Sequence, residues 1–388
     1  MPRICATQAA HYLRVAALNA NQVPGPYTAL GTTATLAVAP TAKPAGTYLA
    51  VMESSVTVSW VAAPAAPLSA SAEGYVLRAS STNFGAAAPG GVLVSSWTYE
   101  RAASSLTAWS PALLLNTTYY FRVAALNHNG APGAELVLGS TSTLAGQVTG
   151  AEAVRTYLSS VTVSWGVVAS RGYELQACAA ADCTGTVHSS ATADGGVGSL
   201  TAWNPALSAD TTYYLRVGSI NHDGVRNFVS AGSTSTLALP PGAPAVYAVY
   251  YTSVTVSWGL VTSQGYVAQA STAADFSGGV ESSRTWAQLS SLTVENLDSG
   301  TTWYFRVGSL NWNGVPNFAA AGSTYTVSAP LKWVGTGGDG NWHTAANWEP
   351  AQAPNRSNSV TIGLAGAAVW AQAGSAAVSF SSMTLGVV

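Results

Sequence analysis

Cys178 and Cys183 carry the sharpest chemical possibility in this chain, flanking Ala-Ala-Ala-Asp in a polar stretch. Joined as a disulfide they would close a short loop, worth about 2 kcal/mol on the chain-entropy argument. The alternative is two unrelated small residues. A metal site is weaker than either, since no second Cys or His pair completes a tetrahedral set. Cys5 has no evident partner. A second set, His128, His222 and Trp312, occupies one column of a repeated pattern, in the turn after a Tyr-rich strand. At an exposed loop tip such rings would stack on a sugar or touch a protein partner. The plainer reading is that they cover a neighbouring strand or domain. Gly335-x-Gly337-x-x-Gly340 spells a dinucleotide fingerprint but lacks the flanking strand and helix, so it reads as a turn. His11, His188 and His343 have no carboxylate or hydroxyl that sequence can place beside them. The 16 carboxylates scatter singly among the loops, which supports no acid/base pair. No catalytic, cofactor or metal set emerges, and the chain reads as non-enzymatic.

These residues sit in an unusual background. Only 8% of the 388 residues are charged, against roughly 25% in an ordinary soluble domain. Ala, Gly, Ser, Thr and Val fill the gap, so solubility must rest on hydroxyls, amides and exposed backbone. The net charge of −2 and the absence of any Lys/Arg block argue against nucleic acid as a partner. No apolar run approaches the length of a membrane span, and the N-terminal stretch lacks the apolar core of a signal peptide.

What positions the candidate residues is a repeat. Thr211-Thr212-Tyr213-Tyr214-Leu215-Arg216-Val217 runs into Asn221-His222-Asp223-Gly224, and related stretches begin at Asn116 and Thr301. A damaged copy runs from His11 to Asn21. Alternation of Tyr213, Leu215 and Val217 with Tyr214 and Arg216 is the period of a half-buried strand, and Asn-x-x-Gly supplies its turn. Ser-Val-Thr-Val-Ser-Trp recurs, ending in Trp60, Trp165 and Trp258, at the spacing of about 100 residues expected for whole domains. Each copy continues with Gly-Tyr and a short strand, a variable polar middle, Ser-Leu-Thr, the Tyr-rich strand and a last strand. Arg14, Arg122, Arg216 and Arg306 recur on the outward face, where they read as cross-strand partners of Tyr120, Tyr214 and Tyr304. Trp109 and Trp203, each in a Thr-Ala-Trp-x-Pro insert, read as packing that covers an edge.

These units resemble fibronectin type III domains. The resemblance rests on the Trp closing the second strand, the Leu207-to-Tyr213 corner, repeated at Leu113-to-Tyr119, and the Tyr-x-Leu-x-Val…Asn strand. Leu297 to Trp303 keeps the corner with Trp for Tyr. It implies an all-β chain of tandem seven-stranded antiparallel β-sandwiches, with Trp60, Trp165, Trp258, Tyr119, Tyr213 and Trp303 in the cores. The expected organisation is the C-terminal half of a truncated repeat at 1–38, complete repeats at 40–144, 148–238 and 243–328, and a different segment at 331–388. That last segment, with Trp333, Gly335, Trp342, Asn347-Trp348, Pro354 and Ser359-Val360-Thr361-Ile362, resembles the opening of bacterial surface passenger regions that continue into a parallel β-helix. Asn358 stands where that pattern has Asp. Ala368-Val369-Trp370 and Val378-Ser379-Phe380 would form a first rung, and both chain ends read as truncated.

The expectation is an extracellular or cell-surface structural stalk or adhesin fragment that spaces or presents a distal binding region, its missing signal peptide attributed to truncation. Its partners would be an extracellular glycan or protein, and the weakly charged surface adds self-association. The alternatives are a spacer in a secreted polysaccharide-active enzyme and a subunit of a self-assembling extracellular fibre. The cysteine pair has a direct check. A Cys178–Cys183 disulfide leaves the unreduced intact mass two hydrogens below the reduced value; free thiols after aerobic purification argue for two independent residues.

Overall fold

In the computed structural model, residues 10–67, 70–85, 91–355, 358–363, 369, 371, 378, 380 and 382–386 are described. Cys5, Ala368, Trp370 and Ser379 lie outside them. The chain divides into two compact units. One comprises Met1–Arg155, Thr162–Pro205 and Tyr214–Gly232; the other comprises Thr156–Val161, Ala206–Tyr213 and Ser233–Val388. The division runs through the middle repeat rather than through a linker.

The first strands are β1 (Ala10–Val15) and β2 (Thr28–Ala34), an antiparallel hairpin. The first complete repeat follows as β3 (Tyr48–Val51), β4 (Val56–Ser59), β5 (Gly74–Ser80), β6 (Leu93–Thr98), β7 (Ser105–Ala108), β8 (Thr118–Leu126) and β9 (Pro132–Ser142). Three strands, ordered β3-β4-β7, face four, ordered β6-β5-β8-β9, with antiparallel pairing throughout. The middle repeat has the same order in β10 (Thr149–Thr156), β11 (Val161–Gly166), β12 (Gly172–Cys178), β13 (Val187–Thr192), β14 (Ser199–Ala202), β15 (Thr212–Ile220) and β16 (Arg226–Ser235). So does the third, in β17 (Gly242–Val249), β18 (Val254–Gly259), β19 (Gly265–Ser271), β20 (Val280–Thr285), β21 (Ser291–Val294), β22 (Thr302–Leu310) and β23 (Pro316–Tyr325). A three-on-four antiparallel sandwich, used three times in tandem, is a fibronectin type III-like architecture.

Period-2 alternation sends Val56 and Val58, Val161 and Val163, and Val254 and Val256 inward, each pair followed by a buried Trp. Trp60, Trp165 and Trp258 lie 5.2, 5.3 and 5.1 Å from Tyr75, Tyr173 and Tyr266, ring centroid to ring centroid. A fully buried side chain of this kind contributes about 1.5–3 kcal/mol. The residue before each of these tyrosines must be glycine. A Cβ on Gly74 or Gly172 would sit 2.0 Å from the carbonyl oxygen of Thr98 or Thr192, and one on Gly265 would sit 2.2 Å from that of Thr285. Outward faces use hydroxyls where other proteins use charges. Thr57–Thr107, Thr162–Thr201 and Thr255–Thr293 pair across strands, each 2.8 Å between oxygens.

Tyr119 and Tyr213 are buried, and their hydroxyls accept the backbone N–H of Leu114 and Ser208, each at 2.9 Å. Trp303 reverses the polarity of this corner. Its indole N–H donates to the Asp298 carbonyl at 3.4 Å.

After Ala329 the architecture changes. β24 (Leu331–Trp333) pairs antiparallel with β25 (Trp348–Glu349) and parallel with β26 (Ser359–Ile362), which pairs parallel with β27 (Ser382–Leu385). Trp333 and Trp342 meet Trp348 edge to face, at 5.0 and 4.8 Å. Asn358 is buried, donating to the Ala329 carbonyl at 3.3 Å and accepting from the Asn355 amide at 2.8 Å.

The corner hydrogen bond is separable from the ring that carries it. Tyr119→Phe and Tyr213→Phe should each cost about 1 kcal/mol in urea unfolding. Losses indistinguishable from zero would mean that the ring alone holds the corner.

Candidate functional site

The turn after the sixth strand of each repeat begins with Asn127, Asn221 or Asn311, and all three are buried. Each side-chain oxygen accepts two backbone N–H groups of its own turn: Asn129 and Ala131, Asp223 and Val225, Asn313 and Val315, at 2.8–3.0 Å. The turn closes on Gly130, Gly224 or Gly314, at φ 71°, 79° and 71°. With the oxygen engaged at home, the amide nitrogen points outward. Asn127 Nδ2 donates to the carbonyls of Ala34 and Thr35, at 3.1 and 3.2 Å. Asn221 donates to Ser142 and Thr143, at 3.0 and 3.1 Å, and Asn311 to Ser235 and Thr236, at 3.0 and 3.1 Å. One side chain therefore grips two consecutive carbonyls at the end of the preceding repeat, and it does so at three successive junctions.

Neighbouring columns reinforce the clamp. Ser219 donates to the Gly146 carbonyl at 2.7 Å, and Ser309 to that of Leu239. Asn227 and Asn317 reach the carbonyls of Ala145 and Ala238, at 2.9 and 2.8 Å. Ala37, Ala145 and Ala238, two residues beyond the gripped pairs, are buried. Asp223 accepts the Ser142 amide at 2.7 Å, where Asn313 accepts that of Ser235 at 3.0 Å. Burial and the nearby Asp223 charge push the Tyr48 phenol up to about 12.

The column of His128, His222 and Trp312 lies directly after the clamp residue. His128 is held within its own repeat, Nδ1 lying 2.7 Å from Glu73, which also pairs with Arg101. His222 is exposed, and its backbone N–H donates to Asn116 Oδ1 of the preceding repeat at 3.1 Å. Trp312 is 63% exposed. Asn116 and Asp210 share one column at positive φ, 45° and 49°, and Gly300 has that conformation in the third repeat, at 61°.

Cys178 and Cys183 are joined by a disulfide, Cα to Cα 5.0 Å. The same loop is closed differently elsewhere: Ser80 Oγ accepts the Phe84 amide at 3.1 Å, and Ser271 Oγ that of Ala273 at 3.2 Å. The exchange extends to the arginine column. Arg122 lies 4.2 Å over the Phe84 ring, and Arg306 is held between Phe276 and Phe318, at 4.0 and 4.1 Å. Cys183 replaces that first phenylalanine, and among the described residues Arg216 stacks on Phe228 alone, at 4.4 Å. Arg14 lies over Tyr27. These guanidiniums are cation–π partners of aromatic rings on other segments, not simple neighbours of the outward tyrosines.

Trp109 and Trp203 depart from the packing expectation, being 64% and 60% exposed. The Gly335–Gly340 run is a turn built on Asp339, which accepts from Asn341, Thr344 and Asn347. The Thr344 hydroxyl leads these in holding the carboxyl below its usual range, which puts an anion where a phosphate would need donors. His188 is buried against the Pro205 carbonyl. Among the described residues there is no cluster of three or more His, Cys, Asp or Glu able to hold a metal ion, and no helix is long and apolar enough to cross a membrane.

No protein-family model matches the sequence, and no curated protein matches it. Among solved structures, the crystal structure of the FN1–FN3 domains of chicken CNTN1 matches with 14% identity, covering 73% of this chain and 99% of that one, at a TM-score of 0.29. The fold class rests on the strand order and pairing described above.

Asp210 gives the third repeat's junction a pH signature. Burial raises its carboxyl above the ordinary range, opposed by hydrogen bonds from Gln264 and the Trp312 backbone. A carboxyl raised in the folded state stabilises the fold below its unfolded pKa and loses that contribution as pH rises through the folded value. Asp210→Asn, which borrows the Asn116 solution, should therefore raise the melting temperature at pH 7. The gain over wild type should shrink as the pH falls through the carboxylate range. A gain independent of pH would locate the effect in backbone conformation instead.

Proposed function

We propose that this chain is a non-catalytic extracellular structural or adhesion module, a stalk of fibronectin type III-like sandwiches that spaces or presents a neighbouring region. The observation that carries this reading is the asparagine clamp at three successive junctions. A flexible tether needs no buried donor aimed at its neighbour's main chain, whereas a spacer that transmits position does. The domain limits at 1–38, 40–144, 148–238, 243–328 and 331–388 belong to the same proposal, as does a bacterial surface origin. The parallel pairing of β24, β26 and β27 supports reading the last segment as the opening of a parallel β-helix. Exposed Trp312, Trp109 and Trp203 are the side chains by which such a stalk would touch a glycan or protein.

The test is junction rigidity. In NMR relaxation of the full chain, wild-type repeats joined by a clamp should reorient together. Asn221→Ala and Asn311→Ala should each release one junction and cost about 1–3 kcal/mol, because two buried carbonyls lose their donor. Independent reorientation of the repeats in wild type would overturn the spacer reading.

A further inference from the structure

The middle repeat contains a recess of about 280 Å³ lined by Arg171, Gly172, Ala191, Thr192, Ala193 and Ile220. Its origin is visible by comparison with the third repeat. Tyr173 pairs with Thr192, and Tyr266 pairs with Thr285 at the same place, so Ala193 and Trp286 occupy one column, as do Ile220 and Leu310. In the third repeat the Trp286 indole lies over the turn, 3.1 Å from where a Cβ on Gly314 would be, with the Arg284 guanidinium 4.6 Å above its ring. Arg284 is fixed there by donating to the Gly314 carbonyl at 2.8 Å. Leu310 beneath is fully buried.

In the middle repeat the ring is missing and its surroundings remain. A Cβ on Gly224 would meet nothing within 4 Å, and Ile220 is only half-buried where Leu126 and Leu310 are fully covered. A cation is again present at the turn, because the exposed Arg171 donates to the His222 carbonyl at 3.4 Å. The recess is therefore shaped for one aromatic ring, has an apolar floor, and carries a guanidinium complementary to an electron-rich π face. It falls just below the roughly 300–1,000 Å³ of pockets that enclose whole drug-sized ligands, which fits a single side chain better than a complete small molecule.

We propose that this recess receives one tryptophan or tyrosine ring of a partner polypeptide, laid on Ile220 beside Arg171, in the place that Trp286 fills from within the third repeat. N-acetyl-tryptophanamide is the probe, titrated into the isotopically labelled full chain. Saturable amide shifts are expected at Thr192, Ala193 and Ile220, with half-saturation of order millimolar for so small a ligand. Ala193→Trp should abolish them by supplying the ring internally, and Arg171→Ala should weaken binding several-fold. Trp286→Ala should open a matching site and add shifts around Leu310, a gain that misfolding of the other variants could not produce. Shifts that never saturate, or that persist unchanged in Ala193→Trp, would overturn the proposal.

Discussion

A buried carboxamide that faces two ways is the constraint on which the rest of this structure depends. Asparagine has two donors on nitrogen and two lone pairs on oxygen, and at Asn127, Asn221 and Asn311 every one of them is used. The oxygen fixes the turn and the nitrogen fixes the neighbour, so turn geometry and junction geometry are one quantity. Glutamine would carry the same groups on a longer, freer stem, and aspartate would present lone pairs where donors are needed. The repeated Gly at the end of the turn, at positive φ, keeps the loop short enough for both sets of bonds to form.

A chain so poor in charge must satisfy its polar groups by other means, and the same economy recurs at every level. Threonine pairs replace ion pairs on the three-stranded sheets. Thr143, Thr236 and Thr326 donate to carbonyls at the corner, each at 2.6 Å. Arg122, Arg216 and Arg306 are laid on phenylalanines, where their flat faces cover apolar area, and the edges of Arg216 and Arg306 find the amide oxygens of Gln176 and Gln269 at 2.8 Å. Such contacts depend weakly on salt, unlike exposed ion pairs.

What could be read from the sequence follows physical range. The inward Val-x-Val-x-Trp runs and the Leu-x5-Tyr corner were legible because strand periodicity and a short loop are local properties. Asn-x-x-Gly could be recognised as a turn, but nothing in its spelling says that the outward amide will meet a carbonyl some 80 residues earlier in the chain. Position in a strand placed Arg122 and Arg306 on an outer face, yet the rings that cover them come from a loop and another strand. Trp109 and Trp203 look like packing by composition and stand in solvent, since residue type alone does not say which way a side chain just beyond a strand will turn. The recess beside Ala193 is legible only afterwards, since an absent ring leaves no mark unless a sibling repeat shows where it belongs.

The clamp's acceptors are main-chain carbonyls, and that choice has a consequence for how such arrays change. A carbonyl is present whatever side chain its residue bears: Ala34 and Thr35, Ser142 and Thr143, and Ser235 and Thr236 serve alike. Any unit whose turn begins with this asparagine can therefore follow any unit that ends in the same extended geometry. Duplication or loss of a whole repeat leaves the clamp itself intact at each new joint, while side-chain pairs such as Gln264 with Asp210 and Asn227 with Glu53 remain particular to their own junction. For the clamp alone, the units are interchangeable parts, because its acceptors are the same main-chain group in each.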